Sequence, residues 1–203
     1  MTKEEIKFKL QHYVFGEKLW TEFAPYRNNK TPDHSNVKKS SVALHVSLSN
    51  GQIQLVLIER SKYKGTHSQQ IAFPGGKQDP KDDNPEYTAR RESFEEIGFD
   101  LNTGELIGEL TEIFIPVSGF EVKPYVFFHQ EFPKFIMNKR EVHSILICML
   151  SDIDTQTKKS FKDIRINETL VLKNIPGIKY DKHFIWGATA LILHEFNTAM
   201  KYL

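Results

Sequence analysis

Two segments with strand-like patterns of apolar residues flank a short polar turn. Residues 42–48 and 53–58 are rich in Val, Leu and Ile, and the segment between them contains the pair Asn50-Gly51. Because Asn-Gly is a favoured turn of the β-hairpin, this pattern predicts two antiparallel strands. Other apolar runs of strand length are found further along the chain. They predict strands at 106–115, 122–128 and 145–150.

A helix over residues 85–97 is predicted with unusually well-marked ends. Asn84 can cap the helix, Pro85 suits its first position, and Gly98 suits the left-handed position after its last residue. We therefore expect this helix to begin and end at these residues.

Helical periodicity also marks the two ends of the chain. Residues 3–24 predict one or two short amphipathic helices, and residues 186–196 predict a closing helix with Ala, Leu and Ile on its inner face. Residues 27–36 are rich in Asn, Asp, Ser and Pro, which favour an irregular loop.

The order of these elements predicts the fold class. Strands before and after one central helix, with another helix at the end, indicate an α+β fold, an α/β/α sandwich with a mixed central sheet. No linker of distinct composition divides the 203 residues. We therefore predict a single globular domain over 37–203, preceded by an N-terminal helical appendage and loop over 1–36.

Charge and composition narrow the classes of partner. The chain has 27 Lys and Arg against 26 Asp and Glu, so no overall field recruits nucleic acid or an anionic membrane. Neither a signal-peptide core nor an apolar stretch of transmembrane length is present. We expect a cytoplasmic protein that acts on a small molecule, and the sequence leaves open whether it forms a homodimer. The single cysteine, Cys148, lies in an apolar run and is predicted to be buried and unreactive.

The candidate chemistry is concentrated in the predicted helix over 85–97. Glu92, Glu95 and Glu96 are spaced to share one helical turn, where like charges repel each other unless a cation binds them. Carboxylate oxygens suit hard cations such as Mg²⁺ and Mn²⁺, which catalyse phosphoryl chemistry. Such a cluster is more often a solvated helix face. The turn Gly75-Gly76, which lets a backbone approach a ligand closely, and the neighbouring Arg91 favour a functional site.

This stretch resembles the Nudix box, G-x5-E-x7-R-E-U-x-E-E-x-G-U. Two departures from the pattern stand out: the interval from Gly76 to Arg91 is one residue longer, which puts Asp83 at the expected Glu when counting back from Arg91, and Ser93 occupies an apolar position. The matching positions are Gly76, Arg91, Glu92, Glu95, Glu96, Gly98 and Phe99. The resemblance implies a Nudix fold and Mg²⁺ or Mn²⁺ held by the three glutamates, with the Gly76 carbonyl as a further ligand. It also implies that Arg91 orients the carboxylates, and it leaves the general base open.

The segment upstream is similar to the coenzyme A pyrophosphatase branch of the Nudix family. The matching residues, together with the ending over 185–190, are Arg60, Ser61, His67, Gln70 and Phe73 to Gly76. Gln69 and the pair Tyr63-Lys64 depart from that branch. The resemblance implies hydrolysis of coenzyme A or acyl-coenzyme A, with substrate contacts from Arg60, Ser61, Lys64, His67, Gln70, Gly75 and Gly76. Of these, Arg60, Lys64 and His67 could bind the 3′-phosphate.

Other interpretations stay open at this point. The departures at Gln69 and Tyr63-Lys64 motivate a pyrophosphatase of ADP-ribose or another nucleoside diphosphate derivative. A Nudix domain that senses nucleotides without catalysis is a third hypothesis, although the complete carboxylate turn argues against it. Isomerase chemistry with a reactive cysteine is disfavoured by the position of Cys148. Glu141 is a further candidate carboxylate for the metal cluster.

Overall fold

The computed structural model describes residues 1–13, 22–23, 37–61, 70–116, 118–165 and 171–202. Along this part of the chain the helices are α1 (Lys3–His12), α2 (Pro85–Ile97) and α3 (Gly187–Lys201), and a 3-10 turn covers Leu150–Ile153. The strands are β1 (Lys38–Ser49), β2 (Gln52–Arg60), β3 (Ile71–Ala72), β4 (Gly75–Lys77), β5 (Glu105–Glu109), β6 (Ile113–Ile115), β7 (Phe120–Phe128), β8 (Val142–Met149), β9 (Lys159–Arg165), β10 (Val171–Tyr180) and β11 (His183–Trp186). The predicted loop at 27–36 and most of the predicted helical region after residue 13 lie outside the described residues.

The predicted hairpin is confirmed as β1 and β2. Val46 faces Leu55 and Ser49 faces Gln52 across the antiparallel pair. Asn50 and Gly51 have positive φ angles of 51° and 74°, the conformation that matches a tight hairpin turn to the twist of its strands.

The central sheet is mixed, as predicted. Its described strands run in the order β3-β2-β1-β7-β5, while β4 pairs with β1, β6 with β7 and β8 with β2. The β1–β7 pair is parallel and the β1–β2 pair is antiparallel. Since successive residues of a strand point to opposite faces, both faces of this sheet require a covering layer.

Alternate residues of β2 show which helices cover each face. Val56 and Ile58 pack in a cluster with Ile97 of α2. Leu55 and Leu57 belong to the main core cluster, which also contains residues of α1 and α3. Helices therefore lie on both faces, and the predicted α+β sandwich is confirmed.

The region around residue 110 corrects the prediction of one strand over 106–115. β5 ends at Glu109 and β6 begins at Ile113. Between them the Thr111 backbone N–H donates to the Glu195 carboxylate of α3, at 2.9 Å. The Glu195 side chain therefore accepts a hydrogen bond from a backbone N–H that a continuous strand would have donated to its neighbouring strand. No local sequence pattern predicts this contact.

The C-terminal region contains a second sheet that the sequence analysis missed. β9, β10 and β11 form a three-stranded antiparallel sheet. Most residues of β9 and the first half of β10 are exposed or half-buried, so the chain lacks the alternation of apolar and polar residues on which strand prediction depends. The predicted closing helix begins one residue later than expected, because Trp186 ends β11, and it continues to Lys201.

The N-terminal helix packs against the main core. Ile6 and Leu10 of α1 are almost completely buried, in the same cluster as Leu44 of β1 and Phe196 of α3. Thr2 and Glu5 form a capping box at the start of the helix, which satisfies two backbone donors.

Cys148 on β8 is a buried free thiol. Burial raises its pKa to about 11, in line with the expectation that it is unreactive.

None of the helices in the described ranges is both long and apolar enough to cross a membrane.

Candidate active site

The ends of α2 are those expected from the sequence. The Asn84 side chain accepts a hydrogen bond from the Tyr87 backbone N–H at 2.8 Å, and Pro85 occupies the first turn. Gly98 adopts a left-handed conformation with φ 77°. These caps determine where the helix begins and ends, and therefore which turn carries the three glutamates.

Glu96 is completely buried at the inner side of this turn. One of its carboxylate oxygens accepts the Gly75 backbone N–H at 2.9 Å, and the other accepts Nη1 of Arg60 at 3.3 Å. Burial raises the pKa of Glu96 to about 8, although Arg60 and the Gly75 N–H favour the charged form. Glu96 is thus a carboxylate held away from water, which a solvated helix face does not provide.

Glu92 and Glu95 lie progressively closer to solvent, with side chains 14% and 45% exposed. Nη1 of Arg91 donates to both carboxylates, at 2.9 Å to Glu92 and 3.2 Å to Glu95. The pKa of Glu92 is raised, mainly by burial and further by the charges of Glu95 and Glu141, while Arg91 opposes the increase. The turn therefore presents a row of crowded carboxylates that one guanidinium only partly neutralises.

The diglycine turn lies directly against this row. In β4, Gly75 and Gly76 pair with Val42 and Ser41 of β1. A Cβ atom on Gly76 would come within 2.5 Å of the Glu92 carboxyl carbon, and one on Gly75 within 2.4 Å of the Ser41 carbonyl oxygen. Gly75 requires glycine because the backbone of β1 already occupies the space of a side chain, whereas at Gly76 that space is occupied by the end of the Glu92 side chain.

Arg91 also contacts Asp82, the residue before the one that counting back from Arg91 puts at the Glu of the pattern. Nε and Nη2 of Arg91 donate to the Asp82 carboxylate at 2.9 and 3.0 Å, whereas Asp83 is exposed. Thr88 Oγ1 also donates to Asp82 at 2.8 Å, and the hydrogen bonds from Arg91 are the main reason that the pKa of Asp82 is lowered to about 2. The extra residue therefore lies between Asp82 and the helix, and counting the pattern forward from Gly76 would have found Asp82.

The residues of the upstream signature surround the same carboxylates only in part. Arg60 ends β2 and contacts Glu96. The Gln70 carbonyl accepts the Arg60 backbone N–H at 3.0 Å. Ser61 donates from its hydroxyl to the Lys139 carbonyl at 3.3 Å and so lies against the loop before β8. Lys64 and His67 lie outside the described residues.

Glu141 is an exposed residue just before β8. Its backbone oxygen accepts the Ser61 N–H at 2.8 Å. Its charge raises the pKa of both Glu92 and Glu96, which places it close to the carboxylate row.

The donor set suits a hard cation. Carboxylate oxygens and the Gly76 carbonyl, which accepts the Ser40 hydroxyl at 2.7 Å, are oxygen ligands with further lone pairs. Over the described ranges, no three His, Cys, Asp or Glu side chains converge closely enough to hold a metal ion as they stand. The glutamates instead contact arginines and the Gly75 N–H, and an ion would have to replace part of these contacts.

Comparisons with known proteins identify the family of this chain. The NUDIX domain family matches residues 38–165. A relative from Yersinia enterocolitica, described as an uncharacterized Nudix hydrolase NudL, is 32% identical over 144 residues, covering 70% of this chain and 71% of the relative. Nudix hydrolase 3 of Caenorhabditis elegans is 28% identical over 177 residues, covering 79% of this chain and 72% of the relative.

Solved structures share the fold. A MutT/nudix family protein from Enterococcus faecalis has a TM-score of 0.55 at 13% identity, covering 99% of this chain and 75% of that chain. The MutT protein of Methanosarcina mazei Go1 has a TM-score of 0.52 at 18% identity, covering 86% of this chain and 100% of that chain. Since a family model covers more than half of the sequence and a relative of matching length is a Nudix hydrolase, this chain belongs to the Nudix family and is one of its pyrophosphohydrolases.

Proposed function

We propose that this enzyme hydrolyses the pyrophosphate of coenzyme A, or of acyl-coenzyme A, to 3′,5′-ADP and 4′-phosphopantetheine or its acylated form. One observation carries the proposal. Arg60 and Gly75, which lie at opposite ends of the coenzyme A-like sequence signature, both donate to the same buried carboxylate, Glu96. This contact supports one site that contains both the signature and the proposed metal-binding turn.

Glu92, Glu95 and Glu96 would hold Mg²⁺ or Mn²⁺, with the Gly76 carbonyl as an additional ligand. The support is that the charged forms of Glu92 and Glu96 are disfavoured, mainly by burial and further by neighbouring carboxylates, which raise the pKa of both groups. A bound cation would favour the charged forms. When bound, such an ion neutralises charge on phosphate oxygens and lowers the pKa of a coordinated water. Glu141, whose charge raises the pKa of Glu92 and Glu96, would be a further carboxylate ligand.

The chain's own residues would orient the carboxylates and bind the substrate. Arg91 holds Glu92 and Glu95 from one guanidinium nitrogen, and Asp82 holds Arg91 in place. Arg60, with Lys64 and His67 from the adjoining segment, would supply donors for the additional anionic oxygens of the 3′-phosphate, because guanidinium and ammonium groups bind phosphate through charge-assisted hydrogen bonds. Ser61, Gln70, Gly75 and Gly76 would shape the substrate side of the site. The general base stays open.

The test is a substrate screen with Mg²⁺ and with Mn²⁺, in which the products are identified by mass. We expect coenzyme A to give two products of the masses of 3′,5′-ADP and 4′-phosphopantetheine. Arg60→Ala should raise the KM for coenzyme A more than the KM for dephospho-coenzyme A, which lacks the 3′-phosphate. Equal changes for the two substrates would remove Arg60 from recognition of that phosphate.

The alternative substrate class is ADP-ribose or another nucleoside diphosphate derivative, favoured by the departures at Gln69 and Tyr63-Lys64 from the coenzyme A-like signature. The same screen decides between them. Fast cleavage of ADP-ribose beside negligible cleavage of coenzyme A would reverse the proposal and keep the metal-dependent chemistry.

A further inference from the structure

Ser93 departs from the Nudix box, which has an apolar residue at this position, and the proposed chemistry does not use it. The structure places Ser93 on the buried face of α2, 1% exposed. Its hydroxyl donates to the Ala89 carbonyl one turn earlier, at 2.8 Å. The same oxygen lies 2.9 Å from Nε2 of His45, on β1. A hydroxyl in this environment is therefore part of a buried polar chain.

The chain of hydrogen bonds continues from His45 to a second histidine. Nδ1 of His45 lies 2.9 Å from Nε2 of His129, which follows β7. His45 is 2% and His129 4% exposed, and aromatic rings, among them Phe99 and Phe127, contact His45. The pKa of His45 is well below its ordinary value and that of His129 is lowered to about 4, in both cases mainly because burial disfavours the imidazolium form. Both rings are therefore neutral near pH 7, and each carries one N–H.

Neutral rings leave one arrangement of protons that satisfies the whole chain. The single hydrogen of Ser93 is used by the Ala89 carbonyl, so the Ser93 oxygen accepts from Nε2–H of His45. Nδ1 of His45 is then an acceptor, and it accepts Nε2–H of His129. The hydrogen bonds run in one direction, from His129 through His45 to α2.

This chain of hydrogen bonds connects the two halves of the candidate active site. On α2, Ser93 follows Glu92 directly and precedes Glu96 by three residues. On β1, His45 lies three residues beyond Val42, the register partner of Gly75. One strand, β1, thus pairs with the diglycine turn and also provides the histidine that reaches the carboxylate helix.

We propose that the His129–His45–Ser93 chain is a positioning device that sets the rotation and the height of the carboxylate helix against the diglycine turn. The helix meets the sheet here through a small residue, since Ala89 packs with Ala43 and Phe127, and apolar contact of this kind does not select one direction. Hydrogen bonds at 2.9 Å do, because they weaken steeply when bent or stretched. The effect on turnover rests on the proposed function as a whole, whereas the effect on metal binding rests only on the proposed metal ligands.

The first test is Ser93→Ala, which removes the hydroxyl and keeps a small side chain. We expect kcat to fall about tenfold or more, because small displacements of catalytic groups have effects of this size or larger, while KM changes less than about twofold. Binding of Mn²⁺ alone, measured from the EPR signal of the free ion, should weaken. Wild-type kcat together with wild-type Mn²⁺ affinity in this variant would overturn the inference.

A matched control is Thr155→Ala. Thr155 forms the other described buried hydroxyl–imidazole bond, 2.9 Å from Oγ1 to Nδ1 of His194 on α3, and His194 lies on a helix on the opposite face of the sheet from α2. We expect the urea midpoint of Thr155→Ala to decrease about as much as that of Ser93→Ala, because each substitution leaves a buried imidazole without its hydroxyl partner. The kcat and the Mn²⁺ affinity of Thr155→Ala should stay unchanged. An equal loss of kcat in the two variants would show that general destabilisation explains both.

A second variant separates positioning from stability. In Ser93→Ala/His45→Phe/His129→Phe the whole polar chain is replaced by apolar groups, which removes the cost of leaving one partner unpaired. We expect the urea midpoint to recover relative to Ser93→Ala while kcat stays low. Recovery of kcat together with the midpoint would make the chain merely structural and overturn the inference.

Failure of the proposed function can be told apart from failure of this inference. If the wild type cleaves ADP-ribose and not coenzyme A, the same comparison of variants is made with ADP-ribose. If the wild type cleaves neither, weaker Mn²⁺ binding by Ser93→Ala still supports positioning, and unchanged binding overturns it.

Discussion

At the scale of single residues, the carboxylates of α2 show a conflict between stability and the proposed function. Glu96 is fully buried, and its raised pKa, about 8, means that the folded chain disfavours its charged form. In the metal-free protein this carboxylate therefore lowers stability increasingly as the pH rises from the ordinary glutamate range towards 8. Such a residue is retained for its chemistry and not for the fold.

Glu96→Gln tests this conflict directly. We expect turnover to fall by at least about 100-fold, since replacing even the outer partners of a metal site costs about 10–100-fold. In EDTA at pH 8 the thermal midpoint should rise by about 2 °C or more, because a neutral amide avoids burial of a charge. Glu95→Gln is the control: its carboxylate is 45% exposed, so turnover should fall without any gain in stability. A lower midpoint for Glu96→Gln would contradict the argument.

Asp82 stabilises the folded state, whereas the Glu96 carboxylate destabilises it. Its pKa is lowered to about 2 from an ordinary 3.8 by Arg91 and its other donors, so the carboxylate stabilises the fold above pH 4 and this stabilisation is lost as the pH falls through 2. We expect Asp82→Asn to lower the free energy of unfolding by about 2 kcal/mol at pH 7 and by about half as much at pH 3. Urea denaturation at the two pH values measures both.

The neighbouring exposed residue provides the control for this prediction. Asp83→Asn should leave the unfolding free energy within about 0.5 kcal/mol of the wild type. If Asp83→Asn were the more destabilising variant, Asp83 and not Asp82 would be the partner of Arg91.

At the scale of elements, the site is the contact between α2 and the short strand β4. The two glycines of β4 have different neighbours: at Gly75 the space for a side chain is occupied by the backbone of β1, and at Gly76 by the carboxylate of Glu92. Backbone of a central strand cannot move without disturbing the sheet, whereas a glutamate side chain can rotate. The two positions should therefore respond differently to the same substitution.

Alanine at each glycine separates fold from function. Gly75→Ala should lower the free energy of unfolding by more than about 2 kcal/mol, because its Cβ would meet the Ser41 carbonyl at 2.4 Å. Gly76→Ala should unfold nearly like the wild type but lose about 10–100-fold in kcat, because the Glu92 carboxylate must move away. Urea denaturation and steady-state kinetics on the two variants provide the comparison, and a Gly76→Ala enzyme with normal kcat would exclude Glu92 from the site.

At the scale of the whole molecule, the N-terminal helix shares the main core. The sequence pattern predicts an N-terminal helical appendage and loop over residues 1–36, followed by a single globular domain over 37–203. In the described part of that segment, Ile6 and Leu10 are buried together with residues of β1, β2 and α3, and a Cβ on Gly108 of β5 would meet Leu10 at 2.9 Å. Stability measurements test whether this helix unfolds together with the rest of the chain.

Leu10→Ala provides that measurement. We expect the free energy of unfolding of the whole chain to fall by about 2–5 kcal/mol, because a buried leucine leaves a cavity when truncated, and a single transition should be retained. Phe8→Ala on the exposed side of the same helix, where Phe8 is 49% exposed, should change it by less than about 1 kcal/mol. A separate early transition in Leu10→Ala, with the main transition unchanged, would support an independent appendage.

The sequence by itself determined the features that depend on neighbouring residues. The hairpin at Asn50-Gly51, the limits of α2 and the spacing of Glu92, Glu95 and Glu96 all follow from turn chemistry, capping and helical period, which act over a few residues. The mixed sheet could be predicted too, since apolar runs of strand length marked most of its long strands. Motif resemblance added the family, which the comparisons confirm.

Only the tertiary structure decided which distant groups meet. It brought Arg60 and the Gly75 N–H to Glu96 and made Asp82, not Asp83, the partner of Arg91. It also joined Ser93 to two histidines, one on β1 and one just after β7. It also showed β9 to β11, whose exposed residues lack a burial pattern. The physical reason is that burial and hydrogen bonding between distant segments depend on packing, which no local spacing encodes.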